Sequence, residues 1–367
     1  MRYLFPLNPK NQQRQYEKMT WVFPCHLAAY ATYLRDEGHD VLWGEYAWRQ
    51  YDHDNKIFVE MNKRPIWPTL EEVDQVIEND FQIDIPFEKL PFPDRTFTDA
   101  KNKRWQSYGN YKYHPATHYM SSNLCWWAGA KGCEFCIDSK KIMDGEKRGV
   151  RTTDHVMTEI EDCVALGFKE MFDDAGTIPI NDWLNDLCNK MIKSGLNKHI
   201  VLGCNLKPIK QDFKLMKEAG FRFILVGLES ANQATVDRIQ KGQQVERAIE
   251  NVKAMSKAGL EPHITTMTTY PWETEEEERN NMRQFQYLLR KGYAKTGQVS
   301  IYSRPRTPPP FDSIGHKRLP KYYEVYKSPE FWFNKIKDIK RFEDFTYLVR
   351  GGRLVMEEYW RKMVRAK

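Results

Sequence analysis

No run in this sequence approaches the roughly 20 consecutive apolar residues of a transmembrane helix. Its opening stretch, MRYLFPLNPKNQQ, has too short an apolar core for a secretory signal. Cysteine is scarce and oddly placed. There are seven in 367 residues, an odd number with one tight cluster, which argues against the disulfide framework of a secreted domain. Charge of one sign is also nearly absent as an excess, since the formal net charge is only +6. That excess is local: from His316 to the end there are 14 Lys/Arg against 7 Asp/Glu. A basic, aromatic-rich tail suits either contact with nucleic acid or a solvated helical cap on the main domain, and the cap is the reading followed here.

What is there is an ordinary globular balance, 41% hydrophobic and 29% charged, organised around one stretch. Ser121 to Cys136, SSNLCWWAGAKGCEFC, puts Cys125, Cys133 and Cys136 in the pattern C-x7-C-x2-C. A tetrahedral zinc site wants four ligands, so three thiolates on one loop would need a distant fourth. The same three can hold three irons of a [4Fe–4S] cluster and leave the fourth iron open for chemistry. Gly129 and Gly132 let the loop wrap closely, and Phe135 makes the ending Cys-x-aromatic-Cys.

Along the chain, residues 1–45 read as one β-α-β unit, with a strand at Tyr3–Phe5, a helix through Leu27, Ala28, Tyr30, Ala31 and Leu34, and a second strand at Val41–Trp43. Residues 46–90 show no clean repeat of that unit. Residues 91–117 read as a surface linker. From His118 the pattern alternates. Helices end at Gly167, Gly195, Gly220, Gly259 and Gly292, and strands follow near 169–172, 200–204, 221–226, 262–268 and 298–302. With a first strand at 118–121 this predicts six parallel β-α units, a partial barrel.

Polar residues gather where these strands end: the cysteines, Asp173 and Asp174, Cys204 and Asn205, Glu229 and Ser230, Thr269, Tyr270 and Glu273, then Ser303, Arg304 and Arg306. In a parallel barrel those ends share one rim, where active sites are built. The expected division is 1–90, a compact Rossmann-like α/β domain; 91–117, a linker; 118–315, a partial (β/α)6 TIM-like barrel; and 316–367, a basic aromatic helical extension. Cys25, Cys163 and Cys188 are expected in the core. Cys204 is expected as a packed strand-end thiol, and the aromatics at 322, 323, 326, 331, 332 and 333 as cover for the barrel's open side.

These motifs together resemble the radical SAM superfamily, more narrowly its cobalamin-binding-domain branch, over about Tyr119 to Pro310 and weakly over the first 45 residues. The resemblance implies that Cys125, Cys133 and Cys136 ligate a [4Fe–4S] cluster whose open iron binds S-adenosylmethionine. It implies that Phe135 lies near the adenine, that Asp173 and Asp174 meet the methionyl amine, that Glu229 and Ser230 lie near the ribose, and that Pro271, Glu273 and Thr274 form the turn after strand five. It further implies a 5′-deoxyadenosyl radical, a small-molecule substrate, a reductant protein such as flavodoxin or ferredoxin, and a cytoplasmic setting without membrane association.

Cobalamin-dependent methyl transfer to an unactivated carbon is the specific reaction expected. A cobalamin-independent rearrangement or oxidation, and a zinc-stabilised nucleic-acid-binding protein, are the alternatives. Two departures stand out. Four extra residues, Trp126 and Trp127 among them, lengthen the first cysteine gap. Thr269 and Trp272 also replace common glycines, so the backbone after strand five is expected to sit differently.

Overall fold

The computed structural model of the chain describes residues 1–5, 25–43, 49–52, 57–60, 73–77, 82–95, 111–129, 132–304 and 313–352. The N-terminal unit starts with β1 (Arg2–Phe5), α1 (Cys25–Asp36) and β2 (Asp40–Trp43). An antiparallel hairpin, β3 (Arg49–Asp52) and β4 (Ile57–Glu60), and a short β5 (Gln75–Val76) follow. β1 lies between β2 and β5, both parallel to it. α1 buries Cys25, Ala28, Ala29, Tyr30, Ala31 and Leu34. Tyr30 meets Phe5 of β1 edge-on at 6.2 Å, the apolar face its spacing predicted.

The main body begins at β6 (Ala116–Tyr119), runs through the cysteine loop into α2 (Ile137–Met143), and then alternates. Its elements are α3 (Thr153–Ala165), β7 (Glu170–Asp173), α4 (Asp182–Ser194), β8 (Val201–Asn205), α5 (Phe213–Glu218), β9 (Phe221–Glu229), α6 (Gln233–Arg238), α7 (Val245–Lys257), β10 (Glu261–Thr268), α8 (Glu275–Arg290) and β11 (Thr296–Ile301). The six strands pair in sequence order, β6 to β11, and every pair is parallel. This is the parallel α/β sheet of a partial barrel, as the sequence pattern predicts.

Local chemistry sets the boundaries. Thr152 caps α3 by accepting from the His155 N–H, and Thr274 with Glu277 forms a capping box at α8. Glu275 to Glu278 fill the first turn of α8, where negative charge favours the helix dipole. Gly195 ends α4 at φ 77, a conformation costly for any residue with a Cβ.

One face of the sheet is apolar. Tyr119, Met171, Leu202, Ile224, Val226 and Ile264 join the helix residues Ile160, Leu187, Val252 and Leu288 in one core. Cys163 and Cys188 lie in it, as expected, and Cys204 is a fully buried strand-end thiol.

The segment before β6 departs from the surface linker expected. Arg95 is buried, donates to Glu159 at 2.6 Å and to the His118 carbonyl, and shares Glu159 with Arg151, which lies at 3.0 Å. Two guanidiniums on one carboxylate are what allow these charges to leave water. They also tie the segment after the N-terminal unit to α3.

At the other end, α9 (Ser313–Tyr322), a 3-10 turn (Tyr323–Lys327) and α10 (Pro329–Lys337) lie against α8 and β11. Tyr322 meets Phe285 edge-on and donates to Glu278 at 2.7 Å; Tyr323 accepts from the Val299 N–H; Phe331 is buried. This is the aromatic cover expected, with Phe333 the exception, at 68% exposed. Among the described residues no helix is long and apolar enough to cross a membrane.

Candidate active site

The C-terminal ends of β6 to β11 bring most of the anticipated residues to one rim. The cysteine loop is fastened there from below by Asp173. This carboxylate accepts from the Ser121 N–H at 2.9 Å, the Ser121 hydroxyl at 2.5 Å and the Ala175 N–H at 3.1 Å. Burial outweighs these bonds and pushes its pKa up to about 6. Both oxygens are therefore occupied within the protein: Asp173 braces the loop, whereas Asp174, beside it, has no side-chain partner among the described residues. Burial, then the charges of Asp173 and Asp138, push Asp174 up to about 7. Asp138, at the start of α2, accepts from the Cys125 N–H at 2.8 Å. A Cβ on Gly176 would collide with Asp138 and press on Cys125, so only glycine fits under this corner of the loop.

The three loop cysteines are free thiols, partly exposed, while the other four are buried. Cys133 and Cys136 bracket a tight turn in which the Cys136 N–H donates to the Cys133 carbonyl at 3.1 Å. Burial raises the pKa of Cys133, partly offset by Lys241, and burial raises that of Cys136 to about 11. Among the described residues no three Cys, His, Asp or Glu side chains group closely enough to hold a metal ion.

Opposite the loop, Glu229 ends β9 at φ 64, outside the usual range for a residue with a side chain. It pairs with Lys241 at 2.7 Å, and Lys241 lies 5.6 Å from the Phe135 ring, between the last two cysteines. A Cβ on Gly227 would overlap this ion pair. Ser230 donates to Glu273 Oε1 at 2.9 Å and Asn232 to the same oxygen at 3.0 Å, while Glu273 Oε2 is buried without a partner among the described residues.

Phe135 packs in a second apolar cluster with Ile239, Met267, Tyr270, Tyr302 and Trp272. Tyr270 and Tyr302 lie 4.9 Å apart there. Thr269 follows the end of β10. It takes φ 64, the conformation glycine would use, at a cost of about 1 kcal/mol, and its N–H donates to Glu278 at 3.3 Å. Glu278 in turn accepts from Thr268 at 2.5 Å. Arg306 lies outside the described residues.

Phe135, Glu229, Ser230 and Glu273 thus share one rim with the cysteine loop. The sequence reading missed Lys207, Lys241 and Asp138. Lys207 had a signal, since it stands two residues beyond the end of β8. Lys241 had none, because only the fold carries it back to Glu229.

The donor set suits an iron–sulfur cluster with a zwitterionic nucleotide. Free thiols are available on the loop, an unpartnered carboxylate oxygen of Glu273 and the side chain of Asp174 await donors, and the Trp126 N–H, next to Cys125, is a buried donor without an acceptor.

No curated protein matches the chain. Among solved structures, the cobalamin-dependent S-adenosylmethionine radical enzyme OxsB is 13% identical with a TM-score of 0.44, covering 77% of this chain and 36% of that one. Methylornithine synthase PylB is 11% identical with a TM-score of 0.42, covering 57% and 61%. Coproporphyrinogen III oxidase HemN from Escherichia coli is 13% identical with a TM-score of 0.37, covering 67% and 54%. The chain therefore spans less than two thirds of the length of each, from 36% to 61%. The family model described as Radical SAM superfamily matches residues 122–284, which start in the cysteine loop and end within α8, so that this part of the chain is similar to a radical SAM domain.

Proposed function

We propose that the chain is an enzyme that binds a [4Fe–4S] cluster at Cys125, Cys133 and Cys136 and cleaves S-adenosylmethionine reductively to start radical chemistry on a small molecule. The observation that carries this reading is the rim itself: three free thiols lie on one loop, and Lys241 joins that loop at Phe135 to Glu229 of β9, near which Glu273 keeps one oxygen without a partner among the described residues. When bound, the cluster supplies the electron that breaks the sulfonium bond and releases a 5′-deoxyadenosyl radical. The residues of this chain do the rest. Asp174 offers a carboxylate to the methionyl ammonium. Glu229 is held by Lys241, and Glu273 by Ser230 and Asn232, so that each presents an oxygen in a fixed direction. Phe135, Tyr270, Trp272 and Tyr302 form a water-excluding wall. Cys125, Cys133 and Cys136 would hold the cluster, while Asp138 bonds the Cys125 N–H and Asp173 bonds the Ser121 N–H to fix the start of the loop.

Cobalamin-dependent methyl transfer is the finer reading. It is supported by the parallel order β2-β1-β5, the order of the first strands of a doubly wound nucleotide-binding sheet. Anaerobic reconstitution tests both. The expected product is a brown protein with about four irons per chain. A chain that takes up zinc and no iron overturns the enzyme reading. Failure to retain added cobalamin through gel filtration removes only the methyl-transfer step.

A further inference from the structure

The two tryptophans that lengthen the first cysteine gap remain without a role in the site described so far. Trp127 is fixed from several directions. Its indole N–H donates to the Gln240 carbonyl at 3.0 Å. Its ring lies in the space a side chain would need at Gly242: a Cβ there would collide with it, and Gly242 sits at φ 61. The Lys207 ammonium stands 3.3 Å from the ring centre and donates to the Lys241 carbonyl at 2.5 Å. Trp126 meets Trp127 edge-on at 6.0 Å, with Lys207 5.6 Å from its own ring. The Trp127 carbonyl accepts from the Gly132 N–H at 3.1 Å, which turns the loop back towards Cys133.

Residues 240–242, which receive the ring, also contain Lys241, the partner of Glu229. One side chain therefore joins the cysteine loop to the segment that orients a carboxylate across the rim. A single cation over two indole faces, partly desolvated, contributes at the upper part of the cation–π range. The seat is specific, because the ring, the missing Cβ and the carbonyl must all coincide.

We propose that Trp127 is a positioning residue, a clamp that fixes Cys125 relative to Cys133, Cys136 and the Lys241–Glu229 pair. It takes over the spacing that a shorter first gap would set by chain length alone. The inference rests on the reading of the loop as a cluster site, but its test reads the protein without metal.

In anaerobic apoprotein, maleimide labelling followed peptide by peptide reports how freely each thiol moves. Trp127→Ala is expected to speed labelling of Cys125 and Cys133 about tenfold, as local opening becomes easier, with Cys163, Cys188 and Cys204 still protected. Trp127→Phe keeps the ring and loses one hydrogen bond, and is expected to raise the rate only about twofold to fivefold. Gly242→Ala fills the seat from the other side and is expected to match Trp127→Ala at these thiols. In reconstituted protein Trp127→Ala is expected to weaken S-adenosylmethionine binding about tenfold, and Trp127→Phe to restore most of it.

Unchanged labelling of Cys125 in a folded Trp127→Ala protein would overturn the clamp. So would equal acceleration at all seven cysteines, which marks general unfolding. Neither result touches the cluster reading, which fails only if the unaltered protein assembles no cluster.

Discussion

The two ends of the same six strands handle charge in opposite ways. At the N-terminal ends the strand carboxylates Glu170 and Glu261 are matched by cations. Arg222 of β9 bonds Glu170 of β7 at 2.5 Å and Glu261 of β10 at 2.6 Å. Lys112 adds Glu261 at 2.6 Å and Asp344 at 2.7 Å. Arg222 and Lys112 hold Glu261 down at a pKa of about 2, against the effect of its burial. At the C-terminal ends the matching stops short. Asp174 has no partner among the described residues, Glu273 keeps one buried oxygen unbonded, and three thiols stay free. A fold gains nothing from a half-buried acid without a partner or a buried carboxylate oxygen left unbonded, so Asp174 and Glu273 mark the C-terminal end as the place where a ligand completes the structure.

The comparison can be broken in four ways. The largest effect is expected at the thiols: Cys133→Ala or Cys136→Ala abolishes cluster assembly, measured as iron and sulfide per chain, while circular dichroism stays that of the folded protein. A variant retaining full iron would remove its cysteine from the ligand set. Next comes the matched end. Arg222→Met leaves Glu170 buried without a cation and Glu261 with Lys112 alone, and is expected to cost about 3–5 kcal/mol in denaturant unfolding. Nucleotide binding by the fraction still folded should be unchanged.

Third, Glu273→Gln takes charge from the unmatched rim without altering its shape. S-adenosylmethionine affinity by calorimetry is expected to fall about tenfold, with the melting temperature unmoved. The smallest effect has the opposite sign. Asp174 titrates near 7 in the fold against an ordinary 3.8, so its contribution to stability is full below 3.8 and is lost as pH rises to 7. Asp174→Asn should therefore stabilise the apoprotein above pH 7 by roughly 2 kcal/mol, allowing for partial solvent screening. The gain should shrink as pH falls and vanish below the ordinary carboxylate value. An equal gain at pH 4 and pH 8 would show that Asp174 is not a strained acid.

Much of the barrel was legible because its signals are local. The strands near 169–172, 200–204 and 262–268 stand at Glu170–Asp173, Val201–Asn205 and Glu261–Thr268, since each begins after a glycine that stops a helix and continues as an apolar run. The rim residues Glu229, Ser230 and Glu273 were legible for the same reason, as polar residues at strand ends.

What escaped was set by distance along the chain. Trp127 meets Gln240, 113 residues away, and Lys112 meets Glu261, 149 residues away. No periodicity records such pairings. Arg95 looked like part of a polar linker because its partner Glu159 lies 64 residues on, in α3. Asp173 and Asp174 looked alike in sequence, yet strand alternation turns one inward beneath the loop and leaves the other without a partner.

The most direct test of the account is to reduce the anaerobically reconstituted protein in the presence of S-adenosylmethionine and quantify 5′-deoxyadenosine. The unaltered chain is expected to form it, Cys136→Ala to form none, and Glu273→Gln to form it with a raised requirement for S-adenosylmethionine. An iron-loaded chain that forms no 5′-deoxyadenosine, or a Cys136→Ala chain that forms as much as the unaltered one, would contradict the claim that this rim generates a radical.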